Sequence, residues 1–414
     1  MSNPSVTKCN RVVISGVGMV TPLGVGKDAF SQKLFRGDCG ISPITHFDTS
    51  PFISKLGAAV TDFSPRAFIS VKNLRKMDRT STLASASARM ALEDARVNIN
   101  ASNRDRTGII LGTAVGSTDV ATQFAGVLFS EGPGMASPFL VPNTVMNAPA
   151  GHTSIELGFR GINSTINHRE ASAETAIVYA ASAIKQGRAD VMFAGGVDII
   201  SEFFFRVLTH FKALSPTNGG PEGAHPFDLR RNGPVVGEGA GMVCLETFSQ
   251  AEARGVKPYC EVAGWGLSSA PAPPTDWPSD PRGPVLAITR ALNSAGITPG
   301  DIDYVSAAAS GGIKLDTLEA EALSIVFGSA AELPYISAIK GAVGESFSSG
   351  GIRAAAMALS IKTGSIPPTV GLKNPIRALR FVMDKKMDMP INYGLINGFS
   401  SGGTFVSLVL KNIT

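Results

Sequence analysis

Two segments of the chain share one order of apolar and polar positions. Residues 163–187, NSTINHREASAETAIVYAASAIKQG, open on β-branched Thr165 and Ile166, break at a polar NHRE, and continue as an Ala-rich run ending at Gly187. Residues 334–364, PYISAIKGAVGESFSSGGIRAAAMALSIKTG, repeat that order with Glu345 in the turn and Gly364 at the end. The pattern predicts strand, tight turn and helix twice, with Glu170 at the mouth of the first helix and a left-handed glycine closing each. An apolar strand follows each helix, in ADVMFAGGVD at 189–198 and INYGLINGFSSGG at 391–403. Strands alternating with helices predict an α/β class with buried sheets. The repeat divides the chain near residue 251, after GMVCLETFSQAEARG carries a strand into a charged helix, giving halves 1–251 and 252–414. Two such halves bring their two turns to one central site.

Composition narrows the classes. With 414 residues, 44% hydrophobic and 17% charged, the chain is too long for one ordinary core and rich in residues to bury. A net charge of +4 and a largest basic run of only LRRN at 229–232 argue against a nucleic-acid partner. The four cysteines, Cys9, Cys39, Cys244 and Cys260, form no C-x-x-C pair and have no partnering histidines, which fits reduced thiols and neither a disulfide framework nor a metal site. KCNRVVISGVGMVTPLGVG imitates a signal peptide, but its glycines and Pro22 predict a first strand and turn. No apolar stretch reaches the roughly 20 residues that span a bilayer. A cytoplasmic location, away from membranes, is the expectation.

Several stretches carry a resemblance: RVVISGVGMVTPLG at 11–24, SPFLVPNTVMN at 137–147, ADVMFAGGVD, HPFDLRRNGPVVGEGAGMVCLE at 225–246 and PPTVGLKNP at 367–375. In that order, over nearly the whole chain, they resemble the elongating β-ketoacyl synthases of fatty-acid and polyketide assembly. The resemblance implies a thiolase-like fold, with duplicated α/β halves in five alternating layers, and a dimer. It also implies a cysteine nucleophile at the helix mouth, activated by the helix dipole and turn amides, and two histidines that stabilise the enolate from malonyl decarboxylation.

The positions that match those motifs hold other residues. Glu170 stands where the family has cysteine. Ala308, in SAAASGGIKLD, takes the place of the first histidine and Glu345, in KGAVGE, that of the second, while Lys340 is retained. Ser401 replaces the family's phenylalanine gate, and Ala354 the glutamate that pairs with the lysine. The five histidines, His46, His152, His168, His210 and His225, all precede residue 252. A carboxylate does not form a thioester by transacylation, and an acyl-glutamate would be a mixed anhydride reached uphill. The condensing chemistry therefore lacks its nucleophile and both imidazoles.

Within the family this resembles the chain length factor, the ketosynthase β-subunit of type II polyketide synthases. That likeness implies a heterodimer with an active ketosynthase subunit and an acyl carrier protein whose phosphopantetheine arm acts through the complex, with no covalently bound cofactor of its own. Such subunits mostly carry glutamine at the lost-cysteine position, so glutamate is a departure. Glu170 is read as a helix-start anion, as a decarboxylase group for malonyl priming, or as drift. A malonyl-carrier-protein decarboxylase, a different acyltransferase and a silent scaffolding homodimer stand as alternatives. Glu170, Glu345 and Lys340 are expected to form one hydrogen-bonded cluster, with Lys340, His168 or Arg169 neutralising the carboxylates. The resemblance places the chain-length helix at 118–132, where Val120, Phe124 and Val127, or Ala121, Phe124 and Leu128, would face the tunnel. It nominates Phe139 and Leu140 as reaching into the partner's pocket.

Overall fold

The computed structural model describes residues 11–328 and 333–413; Cys9 lies outside them. The first half supplies strands β1 (Val12–Thr21), β2 (Thr107–Gly112), β3 (Asn163–Ile166), β4 (Val191–Asp198) and β5 (Gly239–Thr247). The second supplies β6 (Cys260–Ser269), β7 (Tyr304–Ser306), β8 (Tyr335–Ser337), β9 (Tyr393–Ser400) and β10 (Thr404–Lys411). The main helices are α1 (Arg79–Asp94), α2 (Thr118–Glu131), α3 (Ser172–Lys185), α4 (Arg282–Ala295), α5 (Ile313–Phe327) and α6 (Gly350–Thr363).

The duplication is visible in the strand order. The first half pairs as β3-β2-β4-β5-β1 and the second as β8-β7-β9-β10-β6, and the two join where β1 runs antiparallel to β6. In each half the second strand is parallel to both neighbours and the remaining pairs are antiparallel. Helix α1 packs on the outer face of the first half-sheet and α4 on that of the second, while α3 and α6 lie between them and touch strands of both. This is the five-layer arrangement of a thiolase-like fold.

Central position explains composition. Every residue of β1 is buried, as its nearly continuous apolar sequence requires. α3 and α6 are buried almost all round, so they are built from alanine, which lets backbone approach backbone. The sheet yields as well: a Cβ on Gly241 would lie 2.3 Å from the Ile352 amide nitrogen, and one on Gly112 2.5 Å from that of Ala173. Gly187 and Gly364 follow the two central helices with φ of 68° and 66°, the left-handed closure that the repeat predicts.

The charged helix after β5 is short, Phe248–Ala253, and opens on a capping box between Thr247 and Gln250. Strands of the first half end at Thr247 and those of the second begin at Cys260, joined by this helix and residues 254–259. No helix among the described residues is long and apolar enough to cross a membrane.

Candidate functional site

Glu170 sits in a single 3-10 turn, Arg169–Ala171, between β3 and α3. Arg169 adopts φ +50°, a left-handed conformation that a non-glycine residue holds only when its surroundings fix it. Ser172 does the fixing, accepting from the His168 amide at 2.9 Å and donating to the Arg169 carbonyl at 2.6 Å. The turn points the Glu170 side chain inward, where it is 8% exposed.

The Glu170 carboxylate meets the turn that ends β9. It accepts from Ser400 Oγ at 3.1 Å, from the Ser401 amide at 3.2 Å and from Ser401 Oγ at 3.2 Å. In an acyl-transfer site, amide N–H groups at such a turn stabilise the oxyanion. Here the Ser401 amide is taken by the chain's own carboxylate. Burial, and next the charge of Glu345, push the Glu170 carboxyl above its ordinary value and toward its protonated form.

The second turn forms a separate unit. Lys340 Nζ donates to Glu345 at 2.6 Å with both side chains buried, and the other Glu345 oxygen accepts from the Phe347 amide at 2.9 Å. Phe347 has φ +56°, the counterpart of strained Arg169. The expected single hydrogen-bonded cluster is therefore divided. Glu345 has Lys340 to itself, and among the described residues Glu170 has no hydrogen bond to Lys340, His168 or Arg169. The physical reason is local supply: the Ser400–Ser401 turn offers Glu170 neutral donors without the cost of moving a buried ammonium. His168 turns away, its Nδ1 lying 3.3 Å from Thr175 Oγ1.

Ala308 lies fully buried on the turn after β7, and its amide, with that of Ala309, donates to Glu319 at 3.0 and 2.8 Å. Ala354 is buried on α6 within the central core. No group of three or more His, Cys, Asp or Glu side chains arranged to hold a metal occurs among the described residues.

Other buried charges at this centre escape a reading of the sequence. Asp198, at the end of β4, takes hydrogen bonds from Thr113, Ala114, Val115 and Ser348, and burial still raises its carboxyl to about 6. Asp316 accepts the Phe227, Ser310 and Gly311 amides and is raised by burial to about 7. Glu174 and Arg353, 179 residues apart, form a fully buried ion pair between α3 and α6. The available signal was one charge within the apolar stretch of each Ala-rich helix.

The surface stretch that follows is apolar. Every residue of α2 is half-buried or exposed in the single chain, including Val120, Ala121, Phe124, Val127 and Leu128, so neither candidate tunnel stripe is distinguished by burial. Phe139 is 88% exposed, Leu140 is half-buried, and Phe129, Met135, Val141, Val145 and Met146 are exposed nearby. On another face of α2, Asp119, Thr122 and Gln123 join His46, Phe203 and Arg206 around a pocket of about 510 Å³.

The duplicated α/β layers, with two strained turns facing the centre, define the thiolase-like class of folds. The chain belongs to the β-ketoacyl synthase family: its residues 9–251 match the Beta-ketoacyl synthase, N-terminal domain, and residues 259–373 the Beta-ketoacyl synthase, C-terminal domain. It is 34% identical to a 3-oxoacyl-[acyl-carrier-protein] synthase 2 of Coxiella burnetii, over 97% of this chain and 99% of that one. It is 33% identical to the protein of the same name from Synechocystis, over 97% and 98%. Among solved structures it is similar to the ishigamide ketosynthase/chain length factor, with a TM-score of 0.91 and 29% identity over 98% of this chain and all of that one. A β-ketoacyl synthase from Burkholderia phymatum superposes with a TM-score of 0.89 at 27% identity, over the same shares.

Proposed function

We propose that this chain is a non-condensing, chain-length-determining subunit. It pairs in the cytoplasm with an active, cysteine-bearing ketosynthase in a type II polyketide synthase and shapes the tunnel for the growing poly-β-ketoacyl chain. The observation that carries the reading is the Glu170 clasp. A carboxylate stands at the helix mouth and occupies the Ser401 amide, while Ala308 and Glu345 stand at the positions where the family carries its two imidazoles. The fold is complete and the catalyst is not.

Similarity to a ketosynthase/chain length factor supports this reading. The greater identity to 3-oxoacyl synthases reflects shared scaffold, and the name of those relatives describes chemistry that needs groups this chain lacks. An acyl carrier protein delivers the chain on its phosphopantetheine arm through the complex.

The reading is tested by purifying the chain alone and with a cysteine-bearing ketosynthase, then supplying acyl- and malonyl-carrier protein. Alone it forms no condensed product; the complex does, and cysteine-to-alanine exchange in the partner abolishes it. Carbon–carbon bond formation by the chain alone would overturn the reading. Release of CO2 from malonyl-carrier protein by the chain alone, lost in Glu170→Ala, would replace it with a decarboxylase.

A further inference from the structure

Beneath the Glu170 clasp, oxygen atoms from three separate segments converge on one buried point. The carbonyls of Ser306 and Ala307 lie 3.4 and 3.1 Å from Arg353 Nη1, which also donates to the Asn397 carbonyl, while Nη2 meets the Glu174 carboxylate. Ser306 ends β7 and Ala307 follows it, the third carbonyl lies in β9, and the carboxylate comes from α3 in the other half. Glu319 grips the same segments through the Ala308 and Ala309 amides and the Asn397 side-chain amide.

Backbone carbonyls and a carboxylate directed at one centre are the ligand set of a hard cation. Buried and facing one another, such oxygens repel unless positive charge stands among them. A guanidinium stands there. The cage is shaped for this pair: a Cβ on Gly350 would fall 2.2 Å from the Glu174 carboxyl carbon, and one on Gly398 2.6 Å from it.

We infer that Arg353 is a built-in cation. It fills an oxygen cage between the two halves, holds the turns of the remnant site in register, and spares the fold a bound metal ion. It acts through those turns and is a positioning residue. Without the guanidinium, the cage accepts a hard cation such as K⁺ or Ca²⁺, or free methylguanidinium. This assignment does not depend on the chain's pairing with a ketosynthase.

Arg353→Lys and Arg353→Met have similar length and differ in charge. Compared as the chain alone, or as the co-purified complex where the chain needs its partner, soluble yield and melting midpoint should fall in the order wild type, Lys, Met. Arg353→Ala should regain part of its lost midpoint, saturably, on titration with methylguanidinium, KCl or CaCl2, whereas wild type shows no saturable gain. Methionine equal to or better than lysine, with both variants folded, overturns the inference, because the point then prefers apolar packing to charge. If neither folds, Glu174→Gln/Arg353→Ala, freed of its orphaned carboxylate, decides by the same titration. Absence of a saturable gain there, or failure of that variant to fold with every additive present, overturns it equally.

Discussion

Glu170 sets a pH dependence whose sign follows from its surroundings. Its carboxyl is raised in the fold, by burial first and Glu345 second, above the ordinary value of 4.5. Below that value folded and unfolded chains both carry the proton, and the group costs the fold nothing. As pH rises through 4.5 the unfolded chain ionises first, so the fold loses stability until its own higher pKa is passed. Asp198, raised to about 6, and Asp316, raised to about 7, act with the same sign. Glu170→Gln removes only the Glu170 part. Its melting midpoint should differ least from wild type near pH 4 and rise above it progressively toward pH 8. A difference constant across that range would mean that Glu170 does not titrate in the fold. At this scale the motif frames point to Glu170, Ala308 and Glu345 as the positions to inspect, and the sequence hid the groups they bond to. Nothing in NGFSSGG says that Ser401 will give its amide to a residue 231 positions earlier. Glu174 and Arg353 likewise read as ordinary helix charges until the fold stacks α3 on α6.

Elements were more legible, since each central helix is framed by a turn and a closing glycine. Helix α2 runs Thr118–Glu131, within a residue of the 118–132 segment. Which face would line a tunnel was not legible, because the alternative stripes of a short apolar helix share Phe124 and are offset by one residue at their other two positions. In the proposed complex Phe124→Ala, common to both, should lengthen the product; an unchanged product spectrum would remove α2 as the stop. The contact between α3 and α6 makes a second expectation. Gly350 opens α6 against the Glu174 carboxylate, so Gly350→Ala should cost about 1–3 kcal/mol as overpacking. Glu174→Ala removes the obstacle while leaving Arg353 unpaired, a loss of roughly 3–5 kcal/mol. Denaturant unfolding of both single variants and the double should then show a total clearly smaller than the sum. Strict additivity would place the Gly350 cost in the helix backbone and not at the ion pair.

For the whole molecule, the apolar surface between residues 129 and 146 bears on assembly. Phe129 and Phe139 are 87% and 88% exposed, and Met135, Val141, Val145 and Met146 add to the same stretch. In the proposed complex this apolar stretch is the surface the partner covers. β3 adds a second reason: it is the last strand of its half-sheet, paired on one side only, by β2. An open edge is a template for further pairing, and in the proposed complex the partner shields it. Interface energy concentrates in a few large side chains, and a charge placed on such an anchor must be desolvated without a partner. Phe139→Asp should therefore lower recovery of the co-purified complex at least about tenfold, the equivalent of about 1.4 kcal/mol, with Phe129→Asp acting in the same direction. Ile325→Asp supplies the control, since Ile325 is 56% exposed but lies on α5 in the other half. It should leave recovery unchanged. Equal loss from all three would trace the effect to poor folding, and no loss from either phenylalanine variant would move the partner surface elsewhere on the chain.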